Sequence, residues 1–232
     1  MFSLLLINII YNISWYFLLM INKISIAKAN LMVNEYIESI KITNKQTKLQ
    51  YFIGLIGSYG VGKTTVARKL GQKLPFIVMS SDDGRRFLES NNFPQKVLDN
   101  NNIILSFGLK VIKRLLKNKI NIILDADLRE PRYRNIIHKI AKGAGYKFIL
   151  LYITAPDDLV RQRIIERSQK EYSPFFKDNI MRHYNFRQKI HLLYSPPENI
   201  FYKINNDATL DNQIDNLVNK IKVELIPEHF SR

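Results

Sequence analysis

Short apolar runs alternate with helix-period stretches along most of this chain. Residues 51–56 are apolar and run into Gly57, the composition of a buried parallel strand. Residues 63–74 place Val66, Ala67, Leu70 and Leu74 at helical spacing, and Pro75 stops that helix. A second strand is predicted over 76–79. A helix follows over 103–117, with Ile104, Phe107, Val111 and Leu115 on one face. The pattern then predicts a strand at 120–124, a helix at 131–141 closed by Gly143 and Gly145, and a strand at 147–153. A helix over 157–167, a strand over 201–204 and a last helix over 212–223 complete the series. Strands alternating with helices call for a parallel sheet covered on both faces. One α/β domain over 51–232 is the simplest partition, without internal repeats.

The first residues stand apart. Positions 1–22 carry no charged side chain and are mostly Leu, Ile, Phe and Tyr, diluted by Asn8, Asn12, Ser14 and Asn22. About 20 apolar residues suffice to cross a bilayer. Lys23 and Lys28 follow, which would put that flank and the domain on the cytoplasmic side of the membrane. A cleaved signal peptide fits badly, since no basic start and no small-residue cleavage site are present. Three readings remain open for 1–31: a membrane anchor, an oligomerisation helix, or an upstream extension of a protein that starts at Met32. In each, 32–50 is a polar lead-in to the first strand, and the domain lies in the cytoplasm.

Composition narrows the chemistry. An apolar fraction of 46% excludes a mainly disordered chain, and the lack of cysteine excludes disulfides, thiol catalysis and Cys-ligated metal sites. Lys and Arg outnumber Asp and Glu by 35 to 20, a formal charge of +15. That balance suits a polyanionic partner such as nucleotide, nucleic acid or an anionic membrane. It equally suits AT-rich coding, which yields the Ile, Asn and Lys abundant here. Residues 172–194 mix bases with aromatics (Tyr172, Phe175, Phe176, Arg182, His183, Tyr184, Phe186, Arg187, Lys189). Such a mix stacks on single-stranded nucleic acid, but more commonly packs its aromatics inward, and the second reading is favoured.

The most specific signal is Gly57-Ser58-Tyr59-Gly60-Val61-Gly62-Lys63-Thr64, with Thr65 after it. It satisfies G-x-x-x-x-G-K-[ST] in full, between a predicted strand and a predicted helix, where a phosphate loop must sit. Glycines let successive N–H groups turn inward, and the helix N-terminus favours an anion. Lys63 neutralises β/γ-phosphate charge, and the Thr64 hydroxyl ligates Mg²⁺. The fold expected is therefore the P-loop NTPase sandwich, with ATP and Mg²⁺ as cofactors.

Other positions bear on the reaction. The second strand runs into Ser80-Ser81-Asp82-Asp83-Gly84-Arg85. A carboxylate at the carboxyl end of a parallel strand is placed to take the proton of an attacking hydroxyl. An arginine one helical turn on can grip an anionic substrate. Asp82 also has a bland reading as a helix N-cap. The third strand ends in Asp125, which can hold Mg²⁺ or orient Lys63. Arg163 and Arg167 are four apart on the helix after the fourth strand, so they share a face that can close over phosphates.

S-D-x-x-R after a phosphate-loop helix resembles the small P-loop kinases, which include the kinase domain of polynucleotide kinase and the chloramphenicol phosphotransferase-like and zeta-toxin-like enzymes. The resemblance covers about 51–167. It implies Asp82 as general base, Arg85 as acceptor clamp, and Arg163 and Arg167 on a helical lid opened by Ala155-Pro156. The family's D-A-T-N-L-R segment is matched at Asp125 and Ala126, with Arg134 as the further arginine. It is broken at Asp127 and Leu128, which unsettles the acceptor contacts. The function expected is ATP- and Mg²⁺-dependent transfer of the γ-phosphoryl group to a hydroxyl acceptor, either a nucleic-acid 5′-hydroxyl or a hydroxylated metabolite. A nucleotide-monophosphate kinase and a non-catalytic nucleotide binder or switch are the alternatives.

Overall fold

The computed structural model describes residues 26–40, 50–170 and 200–225, with the isolated positions 185 and 189. Its centre is a five-stranded sheet: β1 (Tyr51–Ile56), β2 (Ile77–Ser80), β3 (Ile122–Asp125), β4 (Lys147–Thr154) and β5 (Tyr202–Asn205). The spatial order is β2-β3-β1-β4-β5 and every pairing is parallel. All five carboxyl ends therefore lie along one edge. From β1 the chain crosses to β2 at one edge, returns to place β3 between them, and then adds β4 and β5 on the other side, so β1 ends at the switch point where α/β sheets bind ligands.

The alternating faces of β1 explain the three layers. Phe52 and Ile56 enter one apolar core, while Tyr51, Ile53 and Leu55 enter the other. Both sets are buried, so β1 reads as a continuous apolar run. The second core is covered by α2 (Lys63–Lys73), α7 (Asp157–Lys170) and α8 (Leu210–Leu225). The first is covered by α1 (Ile26–Ser39), α3 (Ser81–Ser90), α4 (Gln95–Leu98), α5 (Asn101–Lys117) and α6 (Pro131–Gly143). The five strands and the helices α2, α5, α6, α7 and α8 match the sequence pattern to within a few residues.

The N-terminal region differs from expectation. The boundary placed between 31 and 32 falls inside α1, and the polar lead-in is helical up to Ser39. Ala29, Met32, Val33, Tyr36 and Ile37 lie about one helical turn apart and are buried in the first core. Tyr36 packs its ring 5.1 Å from Phe87 of α3 and 5.5 Å from Phe107 of α5, measured between centroids. Burial pushes the Tyr36 hydroxyl up to about 12; the Asp83 carboxylate adds to that rise and Arg86 opposes it. α1 thus braces the helix that carries the Ser80–Arg85 motif. Among the described residues no helix is long and apolar enough to cross a membrane. The apolar stretch 1–22 and most of the basic, aromatic segment 172–194 lie outside the described residues.

Candidate active site

The phosphate loop links β1 to α2 at the centre of the carboxyl edge. Gly57 passes so close to β4 that a Cβ on it would lie 2.4 Å from the Ile153 carbonyl oxygen. Gly62 has φ +88, a left-handed conformation that strains any other residue. Ser58 and Val61 are buried, and Tyr59 packs partly against the second core. The Lys63 ammonium reaches back across the loop to donate to the carbonyls of Gly57 (2.9 Å) and Ser58 (3.1 Å). Thr64 and Thr65 occupy the first turn of α2 and are exposed.

Asp125 ends β3 beside this loop, and Asp82 lies two residues past the end of the neighbouring strand β2. Ser80 and Asp125 are cross-strand partners in the β2–β3 register. Asp125 is 8% exposed and lies beside the Thr64 hydroxyl. Burial holds its carboxyl above the ordinary value; the Thr64 hydroxyl and the Lys63 charge pull it down, while Asp82 and Asp83 push it up. Those influences mark Lys63, Thr64, Asp82, Asp83 and Asp125 as one electrostatic neighbourhood. The cap of α3 is Ser80, whose hydroxyl accepts from the Asp82 amide at 3.2 Å. Capping is therefore done by Ser80, and Asp82 sits in the exposed first turn beyond it.

The arginines fall into different settings. Arg85 donates to the Leu98 carbonyl and, at 3.2 Å, to the Asn101 side chain, which ties α3 to α4 and α5. Arg134 donates to the carbonyls of Leu128 (3.0 Å) and Arg129 (2.9 Å), holding the loop after β3, and burial lowers its pKa. Within that loop the departure at Asp127 has a partner. The buried Arg129 donates to both Asp127 oxygens, at 2.8 and 2.7 Å through Nε. Burial raises the Asp127 carboxyl, but the Arg129 hydrogen bond and the Lys63 and Arg129 charges outweigh it, leaving a lowered pKa.

Arg163 projects from α7 onto the phosphate loop. Its guanidinium donates to the Val61 carbonyl at 3.4 Å, and to the backbone and side-chain oxygens of Asn206 at 3.3 and 3.4 Å. Arg167 lies one turn further along α7, and its side chain is outside the described residues. Asn206 was not legible as a site residue. It follows β5, is 3% exposed, and donates from Nδ2 to the Val61 carbonyl at 2.7 Å. The only signal in the sequence is an Asn-Asn-Asp cluster after a short predicted strand, at an edge where ligands bind.

Residues 52–189 match the AAA domain family AAA_33. The L-seryl-tRNA(Sec) kinase of Methanococcus maripaludis is 28% identical over 123 residues, 50% of this chain and 46% of that protein. The chain thus spans about half the length of this curated relative. Among solved structures, the PezAT toxin–antitoxin system of Streptococcus pneumoniae superposes with a TM-score of 0.55 at 16% identity, covering 87% of this chain and 96% of that one. The APS kinase CysC of Mycobacterium tuberculosis, in complex with AMPPNP and APS, does so with a TM-score of 0.50 at 16% identity, covering 75% and 98%. At such identities the likeness is one of fold, the parallel α/β P-loop NTPase sandwich described above. With the family profile covering more than half of the chain, and the phosphate loop in place, the protein belongs to the AAA domain family AAA_33.

Proposed function

We propose that this protein is an ATP- and Mg²⁺-dependent kinase that moves the γ-phosphoryl group onto a hydroxyl acceptor. The observation that carries the reading is the convergence of Lys63, Thr64, Asp125 and Asp82 at adjacent strand ends, with Asp125 under the influence of the other three. Lys63 and the loop amides bind the phosphates. Thr64 and Asp125 fit Mg²⁺: a hydroxyl and a carboxylate, both oxygen donors, that lie side by side. Burial of the Asp125 charge is a cost that a cation beside it relieves. The bound metal would neutralise phosphate charge. Arg163 and Arg167 act on charge developing on the transferred group. Arg85 and Arg134 are the candidates for gripping the acceptor.

Asp82 favours a hydroxyl acceptor over a phosphate. An alcohol must lose its proton as the phosphoryl group arrives, and a carboxylate beyond the β2 end takes it. A nucleotide-monophosphate kinase needs no such base. The name of the L-seryl-tRNA(Sec) kinase points to a seryl group carried on RNA. A hydroxyl on an RNA-borne group suits the formal charge of +15 here. The test is an acceptor screen with ATP labelled at the γ-phosphorus. It offers RNA with 5′-hydroxyl ends, serylated tRNA, nucleosides and hydroxylated metabolites, with nucleoside monophosphates as controls. Mg²⁺-dependent label transfer to a hydroxyl class supports the reading. Transfer to monophosphates alone overturns it in favour of a nucleotide kinase.

A further inference from the structure

Asn206 is buried at the point where β5, α7 and the phosphate loop meet. Its amide nitrogen donates to the Val61 carbonyl at 2.7 Å, and its own amide N–H donates to the Thr154 carbonyl at 2.7 Å. Its oxygens receive Arg163. The side chain therefore has both polar ends engaged and little freedom to turn. It also fills the space left by the missing side chain of Gly62, where a Cβ would lie 2.0 Å from Asn206 Nδ2.

The geometry of one peptide plane turns this contact into chemistry. A trans peptide is planar, with its C=O and N–H on opposite sides. No cis peptide occurs among the described residues. Holding the Val61 oxygen against Asn206 and Arg163 fixes the Gly62 N–H to point the other way, away from β5 and α7. Gly62 is also the N-cap of α2, with its carbonyl accepting the first helical bond from the Val66 amide at 3.1 Å. The amide so fixed is one of the loop's donors to an anion.

We infer that Asn206 is a positioning residue for phosphate binding, which holds the Val61–Gly62 peptide so that the Gly62 amide is presented to the polyphosphate of the nucleotide. The inference rests on the phosphate-loop reading above. It assigns Asn206 to ground-state binding of phosphate, not to recognition of the base and not to the transfer step. Without the Nδ2 donor the peptide is freer to rotate, and one preformed donor to the anion is lost. A hydrogen bond to a charged group is worth about 1.5–3 kcal/mol, so affinity should fall about tenfold to hundredfold.

The experiment measures binding of ATP and of inorganic tripolyphosphate, which has no base, to the full chain and to Asn206→Ala and Asn206→Asp. Asparagine and aspartate have nearly the same shape, but the carboxylate offers the Val61 carbonyl no donor. Both variants should weaken both ligands by a similar factor, with KM for ATP raised and kcat changed far less. Glycine labelled with ¹⁵N gives a second readout, practical because the chain holds 9 glycines. The Gly62 amide should shift strongly on adding tripolyphosphate to the native protein and weakly in Asn206→Asp. Weakened ATP binding with unchanged tripolyphosphate binding would make Asn206 a base contact and overturn the inference. Native-like affinity in Asn206→Asp would reduce the residue to packing. Should Asn206→Ala fail to fold, the aspartate variant and the native Gly62 shift still decide, and a native Gly62 amide that ignores tripolyphosphate bound elsewhere on the loop overturns the inference. A native chain that binds neither ligand overturns the phosphate-loop reading itself.

Discussion

The Asp125 carboxylate at the end of β3 lies beside the Thr64 hydroxyl in the first turn of α2. That placement brings together the two oxygens proposed to ligate Mg²⁺, one from the phosphate loop and one from the neighbouring strand. It also leaves a carboxylate in a place that opposes its charge.

That opposition has a sign. Burial raises the folded pKa of Asp125 above its unfolded value, so the native state holds its proton more tightly. The contribution of Asp125 to stability is full below the unfolded pKa and declines as pH rises through the folded one. Asp125→Asn should therefore raise the thermal midpoint of the metal-free protein at neutral pH while weakening Mg²⁺-dependent ATP binding. Melting curves with and without Mg²⁺–ATP check both halves. A variant that melts lower and binds normally contradicts the assignment.

Asp127, two residues on, has the opposite sign. Its pKa is lowered, because the Arg129 hydrogen bonds together with the Lys63 and Arg129 charges outweigh the effect of burial. Its stabilisation is present above the unfolded carboxyl value and is lost as pH falls through the lowered folded value. Asp127→Ala removes the carboxylate partner of the buried Arg129. With Asp127 partly open to solvent, the loss should be about 1–3 kcal/mol. Urea unfolding of both proteins at neutral pH reads this difference, which should shrink in strong acid.

α1 makes a prediction about length. A chain that starts at Ile26 keeps the whole helix, whereas one that starts at Met32 loses Ala29 and the first turns. The shorter chain should melt at a clearly lower temperature. Tyr36→Ala in the full chain, which empties the space between Phe87 and Phe107, should cost about 3 kcal/mol, as large-to-small changes at aromatic core positions do. Equal melting of the two truncated chains would show that residues 26–31 of α1 are dispensable.

Arg163 and Arg167 should affect turnover more than nucleotide binding, the signature of groups acting on the transition state. Steady-state kinetics of the double alanine variant, with ATP affinity measured separately, test the lid assignment. Normal turnover would return that helix to an ordinary surface role.

Much of this was legible in the sequence for local reasons. The phosphate loop is a contiguous motif flanked by a strand and a helix, and the sheet strands are buried on both faces, so their apolar runs stand out. α1 was not legible, because its helical stripe of Ala29, Met32, Val33, Tyr36 and Ile37 lies among polar residues and borders an apolar stretch of another kind. Asn206 was not legible because its role depends on an acceptor 145 positions away in sequence. The direction of Arg85 was likewise hidden, since its partners Leu98 and Asn101 belong to helices whose packing no local pattern reveals.

Asp82 tests the central claim most directly. Ser80 performs the capping, so Asp82→Asn leaves the start of α3 intact and removes only a basic oxygen. On the acceptor found in the label-transfer screen, that variant should bind Mg²⁺–ATP normally and lose roughly 10²–10⁴-fold in turnover, the usual range for general acid–base help. Asp83→Asn, whose carboxylate pairs with Arg86, should lose far less. The measurement is kcat for the native, Asp82→Asn and Asp83→Asn proteins on that acceptor, beside their ATP affinities. A collapse confined to Asp82→Asn is the predicted result. Near-native turnover in Asp82→Asn would contradict the hydroxyl-kinase account.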